Sequence, residues 1–120
     1  LEEITVVPEK FKNEENPPKF IFKTPNAADV IDFQIFNDIT RVANRCFVRF
    51  ENKPTLQKDG KALEYTTYAE FIGLGSSAII NEIHADCCAK LLPVILGIKE
   101  KATHTEKKSK SHGRYIKQGS

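Results

Sequence analysis

The sequence predicts an α+β domain, mainly α, with one long helix and two shorter helices, a short N-terminal strand, a small hairpin and a disordered basic C-terminal tail. Three observations carry that prediction. Apolar residues recur at Ala28, Ile31, Ile35, Ile39, Val42 and Cys46, in steps of three and four, the spacing of one helix face. Asp59-Gly60 sits between short segments holding Leu56 and Leu63, which is a strong hairpin signal. Past Gly97 the chain is mostly Lys, Ser, Thr, His and Gly, a composition expected to bury little. A length of 120 residues fits one domain, expected over 19–98, between a flexible segment 1–18 and the tail 99–120.

The elements follow in order. Ile4, Val6 and Val7 suit a short strand that Pro8 stops, and Lys10–Pro18 reads as linker because it is charged and ends in Pro17-Pro18. Lys19-Phe20-Ile21-Phe22-Lys23 alternates in the manner of a strand. Thr24-Pro25 then starts a helix, Thr24 capping free amides and Pro25 filling the first helical position, where no N–H is needed. That helix is expected to run about 22 residues, its apolar face widened by Val30, Phe33, Phe36, Ala43 and Phe47. After Phe50 the pattern breaks into the hairpin around Lys58-Asp59-Gly60-Lys61. Thr67 and Glu70 have capping-box spacing, so a second helix buries Tyr68, Phe71 and Ile72 and ends at Gly73 and Gly75. Ser76 or Ser77 caps a third, with Ile80, Ile83, Cys87 and Leu91 on one stripe and Pro93 expected to end or kink it.

Charge is unevenly divided. From Lys99 onward seven basic residues face two acidic ones, a net +5 within a total of +2, so residues 1–98 carry −3. No apolar run approaches the ~20 residues that span a bilayer. The first 15 residues lack the apolar core of a secretory leader. The chain holds no Met, so Leu1 is expected not to be a translation start. Three cysteines, an odd number without a leader, fit a reducing compartment.

Chemistry-bearing patterns are thin. His84, Cys87 and Cys88 cluster, with Cys46 as a further conceivable zinc donor, but no ligand-spacing motif is present. Cys46 and Cys87 fall on apolar stripes, where free cysteine acts as a small buried hydrophobe, so no metal is assigned. No phosphate loop, G-x-S-x-G or H-E-x-x-H occurs, and Gly73-Leu74-Gly75 reads as one helix ending before another is capped. Asp29 and Asp32 read as a solvated acidic patch that complements the helix dipole. No catalytic residue or cofactor is assigned, and the chain reads as non-enzymatic. The basic tail, with Tyr115, could meet nucleic acid phosphates, although a solvated solubility tail explains the same residues. Eight phenylalanines and three tyrosines are many for a domain this small. Two readings of Phe11, Phe20, Phe22, Phe36, Phe47, Phe50, Tyr65, Tyr68 and Phe71 stay open: all are internal, or the surplus forms a partner groove or a self-association surface.

Three stretches in order carry a family resemblance. Pro18-Lys19-Phe20-Ile21-Phe22-Lys23-Thr24-Pro25-Asn26-Ala27-Ala28-Asp29 resembles the entry of the small tail assembly chaperones of long-tailed bacteriophages, an aromatic strand followed by a Thr/Pro-Ala helix start. Cys46-Phe47-Val48-Arg49-Phe50-Glu51-Asn52 is similar to the aromatic-Glu-Asn/Gly end of their long helix, with Phe50 where the family often has tryptophan. Asp59-Gly60-Lys61-Ala62-Leu63-Glu64-Tyr65-Thr66 resembles their D-G-K turn, and Glu82-Ile83-His84-Ala85-Asp86 follows it as their Glu-Ile-x-x-Ala segment does. The resemblance spans about residues 17–90; the basic tail departs from it. It implies a mainly helical, non-enzymatic chaperone in the cytoplasm of an infected bacterial host. Such a protein coats the tape-measure protein, promotes tail-tube assembly and is absent from the finished tail. Its partners are then the tape-measure and tail-tube proteins, with Phe20, Phe22, Phe47, Phe50, Tyr65 and Phe71 as candidate contacts against apolar helix faces. The competing readings are a minor structural component of a phage particle and a small interaction module whose basic tail binds nucleic acid.

Overall fold

A computed structural model describes the backbone of residues 2–75 and 77–110, and side chains as far as residue 98. Strands β1 (Glu3–Val6), β2 (Lys19–Lys23) and β3 (Phe47–Glu51) form an antiparallel sheet in that order. Val6 pairs with Phe20 and is 1% exposed, so the N-terminus is an edge strand rather than the flexible segment expected. Beyond Pro8 a short 3-10 turn spans Glu9–Phe11, and the Glu9 amide donates to Asp86 Oδ2 at 3.0 Å. Of the anticipated linker, Lys10 and residues 12–16 are exposed, while Phe11 and Pro17 are half-buried and Pro18 is buried. The apolar alternation of Ile4 and Val6 against β2 outweighs the charge around it.

The two sheet faces differ. Phe20 and Phe22 point to the core, and Ile21 lies on the other face between Thr5 and Arg49. The Arg49 guanidinium donates to Glu3 (Nη1 to Oε2, 3.0 Å) and to Glu51 (Nε to Oε2, 3.0 Å), and Ile21 is 2% exposed. Phe47 and Phe50 are three residues apart and would face opposite ways in a regular strand. The register shift between Ile21 and Phe22 leaves Val48 as the extra residue of a bulge. That resets the alternation, so Phe22 pairs with Phe47 and Phe20 with Phe50.

The long helix expected from Thr24 is instead two helices, α1 (Ala27–Phe36) and α2 (Ile39–Cys46). Asn37 adopts the left-handed conformation at φ 51° and ends α1, and the Asp38 side chain accepts the Thr40 amide at 3.0 Å to begin α2. Asn and Asp are the side chains suited to these two positions. The apolar period runs on through the break in sequence, but its α2 members Val42 and Cys46 are buried in the core whereas Ile31 and Ile35 of α1 are not. The N-cap is Asn26, forming a capping box with Asp29, whereas Thr24 bonds the Glu2 carbonyl beside β1. The resulting rotation exposes Ile31 and Ile35, which the periodicity had placed in the core.

Strands β4 (Gln57–Lys58) and β5 (Lys61–Ala62) form the expected hairpin. Asp59 and Gly60 both have positive φ, 55° and 79°, as a type I′ turn requires. Helix α3 (Tyr68–Ile72) opens on the Thr67–Glu70 capping box. Helix α4 (Ala78–Lys110) extends well past the expected end near Gly97. Ile80, Ile83, Cys87 and Leu91 are its buried stripe as anticipated, and Ile95, fully buried one turn later, carries that stripe beyond Pro93. Pro93 is exposed and so is Ala89, whose carbonyl loses its helical partner there and faces water. The backbone of 99–110, part of the expected disordered tail, continues this helix; the rest of that expectation, 111–120, lies outside the described residues. No described helix is long and apolar enough to cross a membrane.

Candidate partner-binding surface

The six aromatic residues marked as candidate contacts form one internal cluster instead. Phe20, Phe22 and Phe71 are fully buried, Tyr65 is nearly so, and Phe47 and Phe50 are half-buried against them. Tyr68 is their hub: its ring lies 5.4 Å from Phe22 and 5.4 Å from Phe47, and 6.2 Å from Phe20. Phe50 closes the other end, 5.4 Å edge-on to Phe20 and 5.2 Å edge-on to Tyr65. The Tyr65 hydroxyl donates to the Pro54 carbonyl, and the Lys53 ammonium sits 4.5 Å over the Tyr65 ring. The sheet supplies four of these rings and the segment through α3 the rest, so a mixed aromatic core consumes the surplus read from composition. Phe20, Phe22, Tyr65 and Phe71 therefore hold the domain together and present no surface.

Exposed apolar area is found on α1. Ile31 is 55% exposed, Ile35 67% and Phe36 54%. Ala28 continues the row toward the N-terminus of the helix. Meanwhile both charges of α1 turn inward, Asp29 at 1% exposure and Asp32 at 8%. Arg41 of α2 holds Asp32 with two hydrogen bonds, Nε to Oδ1 at 3.2 Å and Nη2 to Oδ2 at 3.0 Å. Arg45 reaches Asp32 at 3.3 Å and Asp29 at 3.4 Å. The Arg41 hydrogen bonds hold the Asp32 carboxyl below the usual carboxylate range. Asp29 also accepts the Asn26 amide at 2.9 Å and faces the Cys46 thiol, whose ionisation burial pushes up to about 12. So the acids are paired rather than solvated, and Asp29 also stabilises the helix N-terminus. The outer face of α1 (Ala27, Ala28, Ile31, Gln34, Ile35) carries no charge, and the Arg41 guanidinium carbon lies over the Phe36 ring, 3.8 Å from its centre.

His84 is the second place where polar groups converge. Its Nε2 lies 2.9 Å from Thr40 Oγ1 and its Nδ1 2.7 Å from the Tyr68 hydroxyl, so α2, α3 and α4 meet on one ring. A neutral imidazole satisfies both contacts, donating through one nitrogen and accepting through the other. Burial lowers the His84 pKa, against the pull of the Asp38 charge. Cys88 Sγ is 3.5 Å from Nε2, and burial raises the pKa of Cys88 and pushes that of Cys87 up to about 12. Burial thus favours the protonated thiol over the thiolate at both positions. Cys46 and Cys87 are fully buried in the core. Among the described residues no group of three or more His, Cys, Asp or Glu is placed to hold a metal ion.

Sequence reasoning passed over Ile31 and Ile35 because a helical period does not say which face is inside. The available signal was Asn37-Asp38, a stop-and-cap pair, followed by Arg41 and Arg45 one turn apart as partners for Asp32 and Asp29. No family model, curated protein or solved structure matches the chain.

Proposed function

We propose that this chain is a non-enzymatic binding protein that docks a helix of a longer client on the outer face of α1. We propose further that it is a tail assembly chaperone of a long-tailed bacteriophage, working in the cytoplasm of the infected host. On that reading the client is the tape-measure protein, and covering it promotes tail-tube assembly. The observation that carries the binding role is the inverted helix. Ile31, Ile35 and Phe36 face solvent while Asp29 and Asp32 face in. Isoleucines one turn apart form a ridge suited to the groove of a second amphipathic helix. The phage assignment is supported by the resemblance over residues 17–90 alone. Contact falls on Ile31, Ile35 and Phe36 and on none of the buried aromatics.

Co-purification tests it. The full chain, expressed with the tape-measure protein of the phage that encodes it, is expected to elute as a complex and to be absent from purified virions. Separate elution of the two, or retention of the chain in virions, would contradict the chaperone assignment.

A further inference from the structure

We propose that the groove between the β4–β5 hairpin and the start of α4 docks an acidic protein segment carrying an apolar anchor side chain. This goes beyond the α1 face, with which the groove shares no lining residue. The groove has a volume of about 280 Å³ and is lined by Leu56, Leu63, Leu74, Ile79 and Ile80, with Lys58 at its edge. Leu63, Leu74 and Ile79 are only half-buried, so apolar wall remains to be covered.

Hairpin register supplies the charge. Lys58 and Lys61 are direct cross-strand partners, and the Leu63 amide bonds the Leu56 carbonyl at 2.8 Å. Alternation then places Leu56, Lys58, Lys61 and Leu63 on one hairpin face; Leu56, Lys58 and Leu63 of that face line the groove together with Gln57, and Lys61 stands across the ladder from Lys58 outside the lining. Like charges directly opposite each other are unfavourable. Both lysines are exposed, and among the described residues neither is ion-paired. A carboxylate lying between two ammonium groups removes the repulsion, and an apolar side chain next to it fills the slot. Binding is therefore coupled to order in the hairpin. A basic segment would add to the repulsion, so the site discriminates by charge as well as by shape.

Fluorescence anisotropy on the full chain tests this with a labelled peptide of three Glu-Glu-Leu-Phe repeats. Two controls replace Glu with Lys, or Leu-Phe with Ala-Ala. The acidic apolar probe is expected to bind at least about tenfold tighter than either control, with amide chemical-shift changes at Leu56, Leu63, Leu74 and Ile79. The double variant Lys58→Glu/Lys61→Glu is expected to reverse the preference between acidic and basic probes. Leu63→Ala is expected to weaken both. Equal binding of the three probes, no binding of any, or an acidic preference that survives in the folded double variant overturns the proposal. So does loss of binding in Ile31→Ser/Ile35→Ser with none in the lysine variant, which would put the probe on α1. Conversely, failure of the α1 face to hold a tape-measure protein leaves these expectations unchanged.

Discussion

Asp29 decides which way α1 faces. It closes the capping box with Asn26 and meets Arg45, and at 1% exposure it has no access to water in place of those partners. Asp29→Ala is expected to cost about 1–3 kcal/mol, from a lost cap and unmatched buried donors, read as a lower urea midpoint. Asp29 complements the helix dipole as the sequence predicts but is buried rather than solvated, because its ion-pair partner Arg45 lies sixteen residues on, across a helix break. His84 makes a second residue-level claim. Its pKa in the folded chain is lowered from the ordinary 6.5 by burial. The unfolded chain therefore takes up the proton first as pH falls, and stability drops from about pH 6.5 downward until the folded imidazole also protonates. Urea midpoints at pH 7.5 and 5.5 are expected to show this loss in the wild type and a smaller one in His84→Gln. An equal loss in both would remove His84 as the cause.

Elements were legible where the signal is local. The Asp59-Gly60 turn and the Thr67–Glu70 box each depend on residues a few positions apart, and both form as read. The long N-terminal helix failed because its evenly spaced apolar residues come from two helices joined at Asn37-Asp38, and periodicity survives such a joint. Conversely, α4 was read too short, since Pro93 and Gly97 are breakers by propensity while Ile95 keeps the helix docked. The Cβ of an alanine at Gly97 would meet nothing within 4 Å. Gly97→Ala is therefore expected to raise stability by about 0.5–1 kcal/mol in urea unfolding, by relieving the entropy a glycine loses in a helix. Destabilisation instead would mean that α4 does not continue through this position. The bulge at Val48 was invisible in sequence, because a single extra residue leaves no mark except where the partner strand is known.

At the scale of the whole molecule, one aromatic cluster joins the sheet to α3, and the exposed apolar side chains Ile31, Ile35 and Phe36 sit together on the helix whose charges point inward. Abundance of aromatics told that a dense core or a sticky surface exists, and only the fold separates the two. Core and surface positions should then respond oppositely. Phe20→Ala is expected to cost about 3–5 kcal/mol of stability, as truncation of a fully buried ring does. Ile31→Ser/Ile35→Ser should change stability by no more than about 0.5 kcal/mol, because these side chains pack against little. Each has about half its side chain left to bury, worth on the order of 1 kcal/mol on docking. Calorimetric titration of the wild type and of Ile31→Ser/Ile35→Ser with the tape-measure protein is the decisive test of docking on α1. The folded variant is expected to bind at least about tenfold more weakly than the wild type. Equal affinity, in a variant with an unchanged urea midpoint, would contradict docking there.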